Sequence, residues 1–277
     1  MNGAEAVLTS LKNEGVDVVF GYPGGAVLTL YDAVYKMKFP HILTRHEQGA
    51  VHAADGYARA TGKVGVVFAT SGPGATNLVT GISTAYTDSV PLVCITGQVA
   101  NSYIGKDSFQ EADVCGITTP ITKHNYLVKK VEDLPRVLKE AFYIARTGRP
   151  GPVVVDVAKD VFDTKLDYAY PESVHLRGYS GENIGDEREI DAVVEAIRAA
   201  KKPLVFAGGG VILSETADVL QDIVRRLGAP STATLLGLGA IPADEKGFLS
   251  FAGMHGSYGA NMAIQECDLL LCVGMRF

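Results

Sequence analysis

No apolar run in this 277-residue sequence approaches the roughly 18 residues of a membrane span. Its four cysteines (Cys94, Cys115, Cys267 and Cys272) show no C-x-x-C spacing. Cys94 and Cys272 sit inside apolar runs and read as small core residues. No basic tract occurs and the net charge is −6, so neither a nucleic acid nor a membrane surface is an expected partner. The opening MNGAEAVLTSLKNEG is an amphipathic helix with an acid in its first turn. It is neither a signal peptide nor an Arg-rich transit peptide. A soluble protein of a reducing, cytoplasmic compartment fits these absences. The six histidines lack metal-ligand spacing, and no Ser-His-Asp arrangement can be placed. No metal-binding residue is assigned. Neither G-x-G-x-x-G nor G-x-x-x-x-G-K-[ST] is present, which removes the dinucleotide and nucleotide-triphosphate fingerprints.

With 47% hydrophobic and 20% charged residues, disorder is excluded. Short β-branched runs alternate with helical patterns. Strands are expected at 17–20, 41–44, 64–70, 91–97, near 121–128 and at 152–157. Helices are expected at about 26–37, 47–61, 75–87 and 132–147. Such alternation predicts a parallel sheet covered on both faces. Residues 158–185 are polar, carry Pro171, show no period and read as a linker. A second α/β set follows, with helices at about 186–201, 214–227 and 258–265. Its strands fall at 203–207, 231–235 and 268–274. The fold class is therefore α/β, with two doubly wound parallel-sheet domains. Their boundaries are 1–162 and 188–277, joined by a linker at 163–187.

Glycine is the residue in excess, at about 11% of the chain against a usual value near 7%. Gly21, Gly24 and Gly25, Gly72 and Gly74, Gly97, and Gly208–Gly210 fall at the carboxyl ends of expected strands. Ligands bind along that edge of an open α/β sheet. Each cluster alone is equally an ordinary tight turn. Glu47 sits on the same edge, where a strand turns into a helix whose start is small and apolar (Ala50, Val51, Ala53, Ala54, Ala58). The helix macrodipole alone accommodates an acid there. Burial also disfavours its charged form and suits it to proton exchange. One buried acid among many glycines points to a cofactor that carries the reactivity itself.

YPGG (22–25), RHEQGAVHAADGYARATGKVGV (45–66), ATSGPGATNLVTGISTAYTDSVPLVCITGQV (69–99) and FQEADVCGITTPITKH (109–124) resemble the thiamine-diphosphate enzymes. GRPGPVVVDVAKDV (148–161), TLLGLGAIP (234–242) and GMHGSYGANMAI (253–264) resemble the acetolactate synthase (acetohydroxyacid synthase) branch, catalytic subunit. The resemblance implies thiamine-diphosphate-dependent decarboxylation of pyruvate and carboligation to a second 2-keto acid, pyruvate or 2-ketobutyrate. It serves branched-chain amino acid biosynthesis. Glu47 matches the acid that hydrogen-bonds N1′ of the cofactor aminopyrimidine and sets its tautomer. Gly25 matches the residue beside the thiazolium, and is otherwise a turn glycine after Pro23. Phe109 and Gln110 match the substrate-pocket pair, with Gln110 donating to an oxyanion; a loop anchor is the bland alternative. Lys159 matches a lysine at the site entrance, where a solvated lysine competes. Arg276 matches an arginine for the carboxylate of the second keto acid. Pro23, Gly24, Ser71, Pro73 and Asn77 fall with Glu47, Gly25 and Gln110 at cofactor positions.

The second domain resembles the FAD-binding middle domain of that branch, in which the flavin takes no part in net redox. Arg149, Gly208, Gly209, Gly210, Thr234, Leu235, Met254, His255 and Gly274 match its flavin contacts. GGG after a strand is by itself a weak phosphate signal. The family's G-D-G stretch, which holds magnesium against the cofactor diphosphate, has no counterpart here. The expected reading is therefore a chain lacking the C-terminal diphosphate-binding domain, inactive alone. In the family it works as a homodimer through the pyrimidine-binding domain, with a regulatory small subunit possible. Alternatives are pyruvate oxidase, a flavin-free catabolic acetolactate synthase, and a non-catalytic assembly module. Glyoxylate carboligase is disfavoured, because that relative lacks the acid that Glu47 provides.

Overall fold

The computed structural model describes residues 1–181 and 184–276. The chain divides into two compact units, Met1–Asn183 and Ile184–Phe277. Both are parallel-sheet α/β units, as the alternating pattern predicts.

The first unit carries β1 (Val19–Gly21), β2 (His41–Leu43), β3 (Gly65–Ala69), β4 (Leu92–Gln98), β5 (His124–Val128) and β6 (Pro152–Ala158). They pair in the order β2-β1-β3-β4-β6-β5, all parallel. β3, β4 and β6 are buried along their whole lengths, which is why they read as near-continuous apolar runs. Alternate residues serve opposite faces. Phe68, Val153 and Val155 pack with Leu8, Leu30, Leu138 and Phe142 of the helices Gly3–Asn13, Leu28–Lys36 and Leu134–Arg146. Val67, Cys94 and Val154 pack with Ala50, Val51, Ala54 and Ile82 of the helices Glu47–Thr61 and Val79–Asp88. Small residues on Glu47–Thr61 let it lie close to the sheet; a side chain at Gly65 would stand 2.3 Å from the Ala54 carbonyl. That helix ends at Gly62, whose φ of 71° suits glycine.

The sheet order reverses between β1 and β3, because the chain leaves β1 for β2 on one side and returns to β3 on the other. The carboxyl ends of those two strands therefore border a crevice at a topological switch point.

Three local expectations change. The single helix expected at 75–87 is two, Pro73–Thr76 and Val79–Asp88, broken around Asn77 and Leu78. Proline at the first position starts the short one. The helices expected at 26–37 and 132–147 each begin with a 3-10 turn, Gly25–Val27 and Val131–Asp133. The polar stretch after Asp163 is an arm laid on the first unit. Leu166, Tyr168 and Leu176 pack against its core. The Tyr168 hydroxyl meets Ser10 Oγ at 3.1 Å and Asn13 Nδ2 at 3.0 Å, and the Tyr170 hydroxyl donates to Glu14 at 2.7 Å.

The second unit carries β7 (Pro203–Ala207), β8 (Ser231–Ala233), β9 (Phe248–Phe251) and β10 (Leu269–Val273) in the parallel order β10-β7-β8-β9. β9 lies in the glycine-rich stretch where no strand is expected. The helix Ala217–Leu227 buries Leu220 and Val224 against Val205 and Ala207. The helix Glu187–Ala199 buries none of its residues. Cys94 is fully buried as expected, but Cys272 is only half-buried, because among the described residues β10 lies at the sheet edge and pairs with β7 alone. No helix among the described residues is long and apolar enough to cross a membrane.

Candidate active site

Four loops leaving the carboxyl edge of the first sheet enclose a cleft of about 400 Å³. Gly25 comes from the turn after β1, Ser71 from that after β3, Phe109 and Gln110 from the long loop after β4, and Lys159 from the end of β6. Val99 and Tyr103 complete its walls. Residues dispersed over more than 130 positions of sequence thus meet on one edge because the strands are parallel.

The turn Gly25–Val27 is pressed onto the sheet. Thr70 Oγ1 accepts from the Ala26 amide at 3.1 Å. A side chain at Gly24 would meet Thr70 Cγ2 at 2.4 Å, and one at Gly97 would meet Val27 Cγ1 at 2.7 Å. Glycine is therefore required at both places by close approach. Pro23 precedes this turn, and Pro73 is exposed at the start of its short helix.

Glu47 is the first residue of its helix and is buried, at 8% exposure. His46 caps that helix, its Nδ1 accepting from the Gln48 amide at 3.1 Å. Asn77 Nδ2 donates to Glu47 Oε2 at 3.0 Å. The break between the two short helices is what turns Asn77 onto the acid. Beside Oε1 the wall is glycine: a side chain at Gly74 would come within 3.2 Å of it. One carboxylate oxygen is thus held, and the other borders a strip kept bare. Nearby, burial first and the Glu47 charge second push the Tyr31 hydroxyl well above the usual phenol range, and that hydroxyl lies 3.2 Å from His41 Nε2.

The loop carrying Phe109 and Gln110 is tied at its base. The Glu111 carboxylate accepts from the Ser108 amide at 2.9 Å, from Ser108 Oγ at 3.1 Å, and from the amides of Gly105 and Lys106. Those amides, Ser108 foremost, hold the carboxyl below its ordinary range. Gln110 adopts φ 58°, and a side chain at Gly72 would lie 2.6 Å from the Gln110 carbonyl. Above this base the Phe109 ring stands 88% exposed. Lys159 is exposed at the cleft mouth.

A second buried acid was not singled out from the sequence. Asp156, 1% exposed on β6, accepts from Thr96 Oγ1 at 2.6 Å and from Gln98 Nε2 at 2.9 Å. Burial raises its carboxyl to about 6, and the Asp113 charge adds to the rise. An acid inside the run PVVVDV was the available signal.

In the second unit, Gly208, Gly209 and Gly210 follow β7. The Gly208 amide donates to the Val273 carbonyl at 2.8 Å and the Gly210 amide to that of Gly274 at 2.7 Å. Side chains at Gly208 or Gly210 would strike the Gly274 carbonyl. Close loop packing therefore explains this triplet. Thr234 caps the turn Leu235–Gly237 through its side chain, while Leu235, Met254 and His255 are exposed. Arg276 is exposed beyond β10. Arg149, in the first unit, donates to Ser89 Oγ at 2.8 Å and to the Tyr86 carbonyl at 2.6 Å, where it closes the end of a helix. A hollow of about 610 Å³ in the second unit opens at the amino edge of its sheet, beside Lys202, Pro230 and Cys267, and gathers none of the expected flavin residues.

Comparison with known proteins fits this geometry. Residues 1–117 match the thiamine pyrophosphate enzyme N-terminal TPP-binding domain, and residues 190–277 match the thiamine pyrophosphate enzyme central domain. The chain is 55% identical to an acetolactate synthase large subunit of Haemophilus influenzae and 52% identical to the acetolactate synthase isozyme 3 large subunit of Escherichia coli K12. It is 50% identical to a probable acetolactate synthase large subunit of Methanocaldococcus jannaschii. All of this chain is covered in each case, against 49%, 49% and 47% of the respective relatives. The chain thus spans about half the length of the curated relatives it matches. With an N-terminal and a central domain of the same family following one another, this chain belongs to the thiamine pyrophosphate enzymes.

Proposed function

We propose that this chain forms the aminopyrimidine-binding and middle domains of an acetolactate synthase catalytic subunit, a transferase joining pyruvate to a second 2-keto acid. The core of the first domain spans 1–162, with the arm to 181 packed on it, and the second domain spans 188–277. The carrying observation is Glu47: a buried carboxylate at a switch-point edge, with one oxygen on Asn77 and the other beside Gly74. That donor set fits an aminopyrimidine ring nitrogen. Thiamine diphosphate, when bound, supplies carbanion chemistry at its thiazolium C2. Glu47 exchanges a proton at its free oxygen, and Asn77 fixes the carboxyl plane. Gly25 leaves space at the cleft floor. Gln110 donates toward an oxygen that gains charge on pyruvate, and Phe109 covers the substrate and excludes water. Lys159 draws the carboxylate substrate to the mouth.

Pyruvate and 2-ketobutyrate are the proposed substrates. The exposed apolar residues Leu28, Tyr35, Ile42 and Leu43 support a homodimer through the first domain. A regulatory small subunit and a cytoplasmic setting belong to the same reading. Magnesium and the diphosphate are assigned to sequence outside this chain. FAD is proposed for the second domain at Leu235, Met254, His255 and Gly274. The glycine triplet does not fit a pyrophosphate cradle, since two of its three amides are engaged.

The test uses this chain joined to the C-terminal half of the Haemophilus influenzae relative. Glu47→Gln is expected to slow cofactor C2-proton exchange by about 10²-fold or more, followed by NMR. Unchanged exchange removes the assignment. Consumption of an electron acceptor for each pyruvate would favour a pyruvate oxidase instead.

A further inference from the structure

Asp156 presents an energetic puzzle. It is 1% exposed, and its two hydrogen-bond donors, Thr96 and Gln98, are neutral. Among the described residues no cation pairs with it; such burial costs stability, and its strand neighbours Val153, Val154, Val155 and Val157 show what would pack there instead. Its partner Gln98 is 4% exposed at the end of β4 and uses every polar group of its side chain. One Nε2 hydrogen goes to Asp156 Oδ2 at 2.9 Å and the other to the Ala112 carbonyl at 2.7 Å. Its Oε1 accepts from the Val99 amide at 2.8 Å. Val99 lines the cleft, and Ala112 lies two residues beyond Gln110.

Resting on the functional reading above, we infer that Gln98 and Asp156 are positioning residues: a buried clamp that fixes the Val99 and Gln110 walls of the cleft. The acid acts on the amide. By accepting from Nε2 it sets which way the Gln98 side chain faces, so that the second hydrogen can only reach Ala112 and the oxygen can only reach Val99. Lysine or arginine in its place could not accept, and an apolar residue would leave the amide free to turn over. The clamp spans the β4–β6 pair, in which Thr96 is registered with Asp156 and Gln98 with Ala158, one residue before Lys159. A second carboxylate extends the device. Asp160 accepts from the Asn101 amide and from Asn101 Nδ2, each at 3.1 Å, and so holds the turn that follows Val99.

Amide hydrogen exchange on this chain reads the clamp directly. Gln98→Leu removes both donations and the acceptor. It is expected to speed exchange about tenfold or more at Val99 and at 108–112, while the helix Leu134–Arg146 keeps its protection. Asp156→Asn retains an oxygen for Gln98 and turns its amide to Thr96 Oγ1, so exchange should stay within about threefold of the parent. Should Gln98→Leu fail to fold, Gln98→Glu keeps the Val99 contact and removes both donations. Unchanged exchange at those amides in the folded Gln98 variant overturns the inference. So does loosening by Asp156→Asn equal to that of the Gln98 variant. In the completed enzyme the same Gln98 variant should raise KM for pyruvate about tenfold, because the walls it frees line the cleft. If the parent enzyme makes no acetolactate, the functional reading fails, and the exchange data still judge the clamp.

Discussion

Asn77 donates its side-chain amide to the Glu47 carboxylate at 3.0 Å, across a separation of 30 residues. The contact joins a helix start to a helix break, and it fixes the plane in which the acid's second oxygen points. Asn77→Leu should slow cofactor C2-proton exchange about tenfold in the completed enzyme, through loss of that orientation. Asn77→Asp should slow it further, since a like charge then faces Glu47. NMR line shapes of the C2 proton follow both variants. Equal rates in the parent and Asn77→Leu would show that Asn77 does not orient the acid.

Asp156 gives the fold a pH signature. Burial lifts its carboxyl from 3.8 to about 6, with Asp113 adding to the rise and the Thr96 and Gln98 donors opposing it. The folded state therefore holds a proton that the unfolded chain releases. Stability from this group is full below about 3.8 and is lost as pH rises through about 6. Asp156→Asn removes the titration. Its advantage over the parent should grow by about 1–3 kcal/mol between pH 4 and pH 7.5, read from urea midpoints at each pH. Cys115, whose thiol burial and the Asp156 charge raise to about 11, does not titrate in that window. An advantage that shrinks towards neutral pH would contradict the assignment.

Lys123 closes a helix and holds the arm with one ammonium. Its Nζ donates to the carbonyls of Ile144 and, at 2.7 Å, Thr147, and to the Tyr179 hydroxyl at 3.1 Å. A cation there also complements the carboxyl end of the helix Leu134–Arg146. Lys123→Met keeps the stem and drops the donors. It should cost about 1–3 kcal/mol in thermal unfolding and speed protease cleavage within 165–181. Mass spectrometry of the fragments locates the cuts. Unchanged cleavage would mean that the arm is held by its apolar contacts alone.

What the sequence disclosed and what it hid divide by range. The strands of the first sheet were legible, because β3, β4 and β6 are buried throughout and read as near-continuous apolar runs. Glu47 stood out as a charge ahead of buried alanines. Asn77 was hidden as the partner of Glu47, since the pattern reads as one helix from 75 to 87, whereas the structure splits it after Thr76. Gln98 and Asp156 lie 58 positions apart and meet only through the β4–β6 pairing. β9 was missed because four residues among glycines carry too short a pattern to register. The roles of Phe109, Gln110 and Lys159 came from resemblance. Their shared cleft came from the topology.

The arm also stitches the amino end of the chain to the segment that leaves the first unit. The Gly3 amide donates to the Thr164 carbonyl at 2.9 Å, and the Leu166 amide to that of Met1 at 3.0 Å. An excised first module should therefore run to 181 rather than stop near 162, or Glu14, whose side chain is 2% exposed, would lose the Tyr170 hydroxyl to water.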